Sequence, residues 1–341
     1  MRPPPLSSPA PVADPLLRLV AEVETGLAQI PLPADPAELY GPVRYALDGR
    51  GKRIRAVMAL LAAEAFGGAA ARAAAMPVAL AVEAFHTFTL VHDDIMDAAE
   101  TRRGRPAVHV AYSEPTAILA GDLLFSLAGQ MVRDAELPAE VRLDALDGYH
   151  RMVARLCEGQ ALDLAFESRR DVRVGDYMAM IDGKTGALLQ FALDAGALVG
   201  GADSRARASL RDAGHALGRA FQIQDDLLDV TAEAEGWGKA VGGDLVAGKR
   251  TILLLRALER ARDPDAAPDD AAFFDGALDG LAPDAVGEAR DRMGRLGVLA
   301  ETARAAEAET DRGVDALSVL PDGPAAEALR RLALSLARRA V

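Results

Sequence analysis

AMPVALAVEAFHTFTLVHDDIMDAA, residues 75–99, decides the fold class. Between Ala75 and Leu90 only Glu83, His86, Thr87 and Thr89 interrupt the apolar side chains. A helix that is apolar nearly all round belongs at the centre of a fold. The run then ends in Asp93, Asp94 and Asp97. On a helix these fall at i, i+3 and i+4 spacing, so the three carboxylates crowd one face and repel by about a few tenths of a kcal/mol per pair. They also sit at the helix C-terminus, where the macrodipole disfavours anions. Something cationic is expected to offset that crowding.

Helical patterns extend in both directions: residues 15–30, 53–66, 115–135, 140–168, 174–201, 207–230 and 250–261, with further amphipathic segments up to Val341. Strand alternation between turn pairs is absent, which predicts an all-α protein. Composition agrees. Half of the 341 residues are hydrophobic, only 4 % are aromatic, and Ala and Leu dominate over β-branched residues. Residues 1–15 are too rich in proline for helix or sheet and read as a disordered tail, which leaves 16–341 as one domain. Residues 232–249 read as a mobile lid centred on Trp237 to Lys249, and residues 261–276 as a solvated connection.

The formal net charge of −13 excludes a general nucleic-acid binder, because no basic field would attract a phosphate backbone. The lone Cys157 rules out an intrachain disulfide and fits a reducing, cytoplasmic compartment. No uninterrupted apolar run reaches the length of a membrane span, and the N-terminus lacks the apolar core of a signal peptide.

The acidic pattern returns in GRAFQIQDDLLDV, where Asp225, Asp226 and Asp229 repeat the D-D-x-x-D spacing, again ending an apolar helix. Two such triplets converging at one mouth of a bundle would present hard oxygen ligands suited to Mg²⁺ or Mn²⁺. Basic residues lie beside glycines in GRGKRIR (49–55), TRRGRP (101–106), GKT (183–185), WGK (237–239) and GKRT (248–251). Glycine lets the backbone approach an anion and arginine offers bidentate phosphate contacts. Together the motifs describe a pocket that takes diphosphates directly and through metal. The G-K pairs lack the spacing of a P-loop.

In this order GKRIR, DDIMD with RRGRP, EGQALDL, GKT, FQIQDDLLD and GGDLVAGKRT resemble the signature segments of the trans-isoprenyl diphosphate synthases, the polyprenyl synthetase family. Ala56 departs from the proline that commonly follows GKRxR. The resemblance implies a bundle of roughly ten or more helices around a deep central cavity, in a homodimer. It implies three Mg²⁺ ions per site, replaceable by Mn²⁺, with Asp93, Asp94, Asp97, Asp225, Asp226 and Asp229 as the metal motifs and Asp93, Asp97 and Asp225 as direct ligands. Lys52, Arg55, His86 and Arg103 match the isopentenyl diphosphate site. Arg102, Lys184, Thr185, Gln222, Lys239 and Lys249 match the allylic diphosphate site, where Arg102, Lys184 and Lys239 also serve catalysis. Asp244 resembles a carboxylate that orients metal-bound water or a lysine. The reaction implied is head-to-tail condensation of the two diphosphates.

Product length is read from the turns before Asp93. Thr89, Phe88 and Phe85 lie four, five and eight residues earlier, one to two turns below the metal site, where they can close a channel for the growing tail. An aromatic at that fifth position with a small residue at the fourth resembles synthases of the C20 product geranylgeranyl diphosphate; C15 and C25 are the alternatives. A terpene cyclase or head-to-head synthase would not need GKRIR, and a calcium-binding bundle leaves the basic motifs unexplained. A non-catalytic regulatory subunit would be expected to lack some of these carboxylates and lysines.

Overall fold

The computed structural model describes residues 15–49, 51–232 and 241–338, so residues 1–14 of the expected tail and 233–240 of the expected lid, with Trp237 and Lys239, lie outside the described residues. The helices are α1 (Pro15–Ala28), α2 (Ala37–Leu47), α3 (Ile54–Met96), α4 (Val108–Ala111), α5 (Glu114–Asp134), α6 (Ala139–Ser168), α7 (Val174–Ile181), α8 (Ala187–Val199) and α9 (Ser204–Thr231). They continue as α10 (Gly243–Val246), α11 (Ile252–Arg260), α12 (Asp270–Ala277), α13 (Val286–Arg295), α14 (Val298–Ala316) and α15 (Pro324–Arg338). A π-helical turn, Asp182–Gly186, joins α7 to α8.

The segment that opened the sequence reading is the second half of α3. A kink at Gly68, where φ is 69° and ψ −165°, separates it from the first half. Val78, Ala81, Val82, Ala84 and Phe85 are fully buried, as an all-round apolar helix requires. α3 packs against α5 and α8, while α9 packs against α8 and α14. The two acidic helices therefore do not lie face to face along their length, as a simple pairing would have it. α8 packs against both, and their C-terminal ends meet at a shared cavity.

Two departures from the expected all-α pattern are small. TRRGRP forms a two-residue-per-strand hairpin, β1 (Thr101–Arg102) and β2 (Arg105–Pro106), with Arg102 opposite Arg105. Arg103 and Gly104 form its connection with φ of 53° and 75°, as a primed hairpin turn demands. Residues 261–276 are not all loop: α12 arises there because Phe274 and Ala277 bury against α11 and its neighbours. α3 and α5 also meet the length and mean hydropathy of a membrane-crossing helix, at 1.5 and 1.3, although charged residues interrupt both; 56 % of the α3 window is buried inside the bundle.

Candidate active site

A cavity of about 790 Å³ opens where α3, α6, α8, α9 and the basic loops converge. Its walls carry Asp93, Asp97 and Asp225 from the two triplets. Lys52, Arg55, His86, Thr89, Arg102, Arg103, Lys184, Thr185 and Gln222 line the same space. Twelve residues singled out from sequence thus share one cavity, although they come from segments spread over more than 170 positions.

Asp94, Asp226 and Asp229 do not line the cavity, and for the first two helix geometry explains why. Neighbouring positions on a helix point about 100° apart, so only one member of each Asp-Asp pair can face the cavity. Asp94 is 2 % exposed and accepts a hydrogen bond from Arg102 Nε at 2.8 Å. Asp226 is buried, accepting from Tyr177 OH at 2.7 Å, Gln222 Nε2 at 3.0 Å and the Ile252 N–H at 3.3 Å. It therefore caps the start of α11, whose other cap is Thr251 of the GKRT motif. Burial pushes the Asp226 carboxyl up to about 7. Asp229 is also buried and accepts from the Asp244 N–H at 3.1 Å.

The cations of the site are held in carboxylate contacts. Lys184 pairs with Asp163, Lys249 reaches Asp97 at 3.7 Å, and Arg102 pairs with Asp94. Asp163, in the EGQALDL segment, was not picked out as a site residue. Nothing in its spacing signals that a lysine 21 residues later will fold back onto it. Arg53, 7 % exposed with φ 50°, ties the GKRIR loop to Glu83 at 3.4 Å and to the Gly49 carbonyl at 2.7 Å. Arg55 Nη1 donates to His86 Nε2 at 3.3 Å. Burial, then Arg55 and the other arginines nearby, hold the His86 imidazole well below its ordinary range, so it enters the site neutral.

Lys184 and Thr185 are placed by the π turn, a geometry frequent at functional sites. Gly159 of α6 lies so close that a Cβ there would stand 2.2 Å from the Lys184 nitrogen and 2.7 Å from the Gly183 carbonyl carbon. Both neighbours are backbone, so the turn itself would have to move. Gly159→Ala is therefore expected to lower the melting temperature by several degrees and kcat by more than about tenfold, read by calorimetry and steady-state assay.

Phe85 and Phe88 do not line the cavity; Thr89 does. The two rings join an aromatic cluster, with Phe88 5.6 Å from Phe125, Phe85 5.7 Å from Tyr149, and Tyr149 6.0 Å from Phe191. Sequence reading missed Phe125, Tyr149 and Phe191, which arrive from three other helices.

The comparisons with known proteins coincide with this geometry. The family model described as Polyprenyl synthetase matches residues 36–271. The chain belongs to the polyprenyl synthetase family. The short chain isoprenyl diphosphate synthase of Methanothermobacter thermautotrophicus is 47 % identical over 233 residues, covering 67 % of this chain and 70 % of that one. The geranylgeranyl diphosphate synthase of Methanosarcina mazei is 40 % identical over 252 residues, covering 72 % and 77 %. The crystal structure of geranylgeranyl pyrophosphate synthetase from Pyrococcus horikoshii superposes with a TM-score of 0.85 at 38 % identity, covering 95 % of this chain and 96 % of that one. As a polyprenyl synthetase the chain is an enzyme, a prenyltransferase of isoprenoid biosynthesis.

Proposed function

We propose that this polyprenyl synthetase condenses isopentenyl diphosphate with an allylic diphosphate to give geranylgeranyl diphosphate, C20. The observation that carries the reading is one cavity with three carboxylates and two sets of cations on its walls.

The residues present fit Mg²⁺. Asp93, Asp97 and Asp225 supply hard oxygen donors, and Asp93 is held above its usual carboxylate range by burial and by the like charge of Asp97, against the pull of Lys184. Among the described residues no three acidic, histidine or cysteine side chains form a metal cage by themselves. The donor set thus suits a cation that shares its coordination with substrate oxygens and water, three per site by the family pattern. When bound, Mg²⁺ supplies Lewis-acid neutralisation of the charge that develops on the leaving diphosphate.

The chain's own groups divide the remaining work. Lys184, Arg102 and Lys249 give up their carboxylate partners and, with Lys239, donate hydrogen bonds to the allylic diphosphate as its C–O bond breaks. Lys52, Arg55 and Arg103 hold the diphosphate of isopentenyl diphosphate, with neutral His86 orienting Arg55. The Thr185 hydroxyl donates to Gln222 Oε1 at 3.0 Å, which holds both side chains in place on the cavity wall. The π bond of isopentenyl diphosphate attacks the electron-poor carbon, and the departing diphosphate accepts the proton released. Apolar walls, Leu188, Leu189 and Phe221 among them, exclude water that would capture the cation as an alcohol.

The reading also includes one all-α domain over 16–341, a cytoplasmic location and a homodimer. The outward apolar side chains Ile118 and Leu119 on α5, 40 % and 57 % exposed, supply an apolar surface for the last. Mass spectrometry of the products from isopentenyl diphosphate with dimethylallyl, geranyl or farnesyl diphosphate and Mg²⁺ tests the reaction; no product would overturn it.

The two sets of cations make distinct predictions. Lys52→Ala is expected to raise KM for isopentenyl diphosphate about tenfold or more with a smaller change in kcat, whereas Lys184→Ala lowers kcat. Equal effects of both on one parameter would reject the assignment of sites.

A further inference from the structure

The π turn carries Lys184 and Thr185, and a salt-bridged cluster outside the cavity grips its first residue. Asp182 accepts from Arg219 Nε and Nη2, both at 2.6 Å, and lies 2.8 Å from His215 Nε2. Arg219 Nη1 also reaches Glu309 of α14 at 3.6 Å, and Glu309 pairs with Arg312. Burial tends to raise the Asp182 carboxyl, but His215 and Arg219 together draw it below its ordinary range. None of these groups lines the catalytic cavity, and none was a candidate site residue from sequence, although Arg219 stands in the GRAFQIQDDLLDV segment.

Their spacing is informative. His215, Arg219 and Gln222 fall at i, i+4 and i+7 on α9, one stripe that continues to Asp225 and Asp226. The stripe meets the π turn at both ends: Arg219 and His215 hold Asp182, and Gln222 accepts from Thr185. Between them Gly218 packs on the turn so closely that a Cβ there would stand 2.7 Å from Gly186 Cα. Lys184 lies between these two cross-links. A π turn holds one residue more than the α-helical turn it replaces. Relaxing it to α-helix would rotate the residues on one side by about 100° and shift them about 1.5 Å along the axis. Either movement takes the Lys184 ammonium away from Asp163 and from its place on the cavity wall near Asp93.

We propose that Arg219, with His215, is a positioning residue that clamps Asp182 and so fixes the register of the π turn, holding Lys184 in its place on the cavity wall for ionisation of the allylic diphosphate. The inference rests on the role proposed above for Lys184. It assigns to the cluster a catalytic consequence beyond its contribution to packing α9 against α14.

Wild-type turnover with isopentenyl and allylic diphosphates is measured first, and its absence would overturn the proposed function itself. Given that activity, Arg219→Met and Asp182→Asn are expected to lower kcat by about 10- to 100-fold, the scale of a 1 Å misplacement. KM for isopentenyl diphosphate stays within about twofold, because Lys52 and Arg55 sit on other elements. Arg219→Lys restores one of the two hydrogen bonds and recovers kcat to within about fivefold of wild type. In a Lys184→Ala background, followed by single-turnover assay, Arg219→Met costs less than about twofold further, since the group it positions is gone. Should Arg219→Met not fold, Arg219→Lys carries the same test, with a loss present alone and absent beside Lys184→Ala. Folded variants with unchanged kcat, losses that multiply with Lys184→Ala, or a parallel rise in KM for isopentenyl diphosphate would each overturn the clamp while leaving the reaction in place.

Discussion

Asp93→Asn and Asp225→Asn are each expected to lower kcat at least about 10³-fold, on the order of 4 kcal/mol of transition-state stabilisation, with no loss of melting temperature. Both side chains line the cavity. Burial and the neighbouring Asp97 raise the Asp93 carboxyl, although Lys184 opposes this, so ionised Asp93 is held at a cost in the folded protein without bound cation. Its neutral amide isostere removes that cost. The melting temperature of Asp93→Asn is therefore expected to hold or rise while activity is lost, and EDTA should abolish wild-type activity in a way that added Mg²⁺ restores. Asp94→Asn supplies the contrast. That carboxylate is 2 % exposed and paired with Arg102, so its replacement leaves a guanidinium without its charged partner and lowers the melting temperature. Calorimetry beside steady-state kinetics separates the two behaviours. Full activity of Asp93→Asn, or of the wild type in EDTA, would remove the metal from the mechanism.

The contrast between Asp93 and Asp94 also marks how far sequence could be read. The repeated D-D-x-x-D spacing at the ends of two apolar helices was enough to expect carboxylates at one bundle mouth, and both helix ends reach the same cavity. Which carboxylate faces inward was not legible from spacing, because it depends on distant partners: Arg102 for Asp94, and Tyr177 with the start of α11 for Asp226. The same limit hid Asp163, whose meeting with Lys184 needs α6 and the π turn to touch through Gly159 and Gly183. The π turn itself has no periodic signature; DGKTG reads as part of one helical pattern over 174–201, and only the packing of Gly218 and Arg219 against it accounts for the extra residue. Residues 261–276 misled for a local reason. Their Asp, Pro and Ala content is that of a loop, and only burial of Phe274 and Ala277 among α11 neighbours makes α12 worth forming.

Product length depends on the same kind of distant meeting, and Phe88→Ala is expected to lengthen the product by at least one C5 unit. Counting along α3, Phe88 lies about 7.5 Å and Phe85 about 12 Å below Asp93, toward the interior. Thr89 lines the cavity, and the Phe88 ring next to it in sequence stands 5.6 Å from Phe125 and 4.8 Å from His92. Phe88 is half-buried and next in sequence to the cavity-lining Thr89, so its truncation is expected to open space toward the cavity. Phe125→Ala removes the opposing ring from α5 and should act in the same direction. Phe85 differs: it is fully buried, with rings of Phe88, Phe125 and Tyr149 at 5.2, 6.2 and 5.7 Å. Phe85→Ala should therefore show first as a stability loss of about 3–5 kcal/mol, with longer products only if the protein remains folded at assay temperature. Tyr149 is pinned by its hydroxyl, which donates to the Phe125 carbonyl at 2.8 Å, so the α6 side of the floor is the stiffer one. A Phe88→Ala, Phe125→Ala double variant should then give the longest products, its tail passing between α3 and α5 rather than toward α6. Chromatography of the dephosphorylated products reads the outcome directly. Unchanged C20 from both single variants and the double variant would place the end of the channel on other side chains and reject this aromatic cluster as its floor.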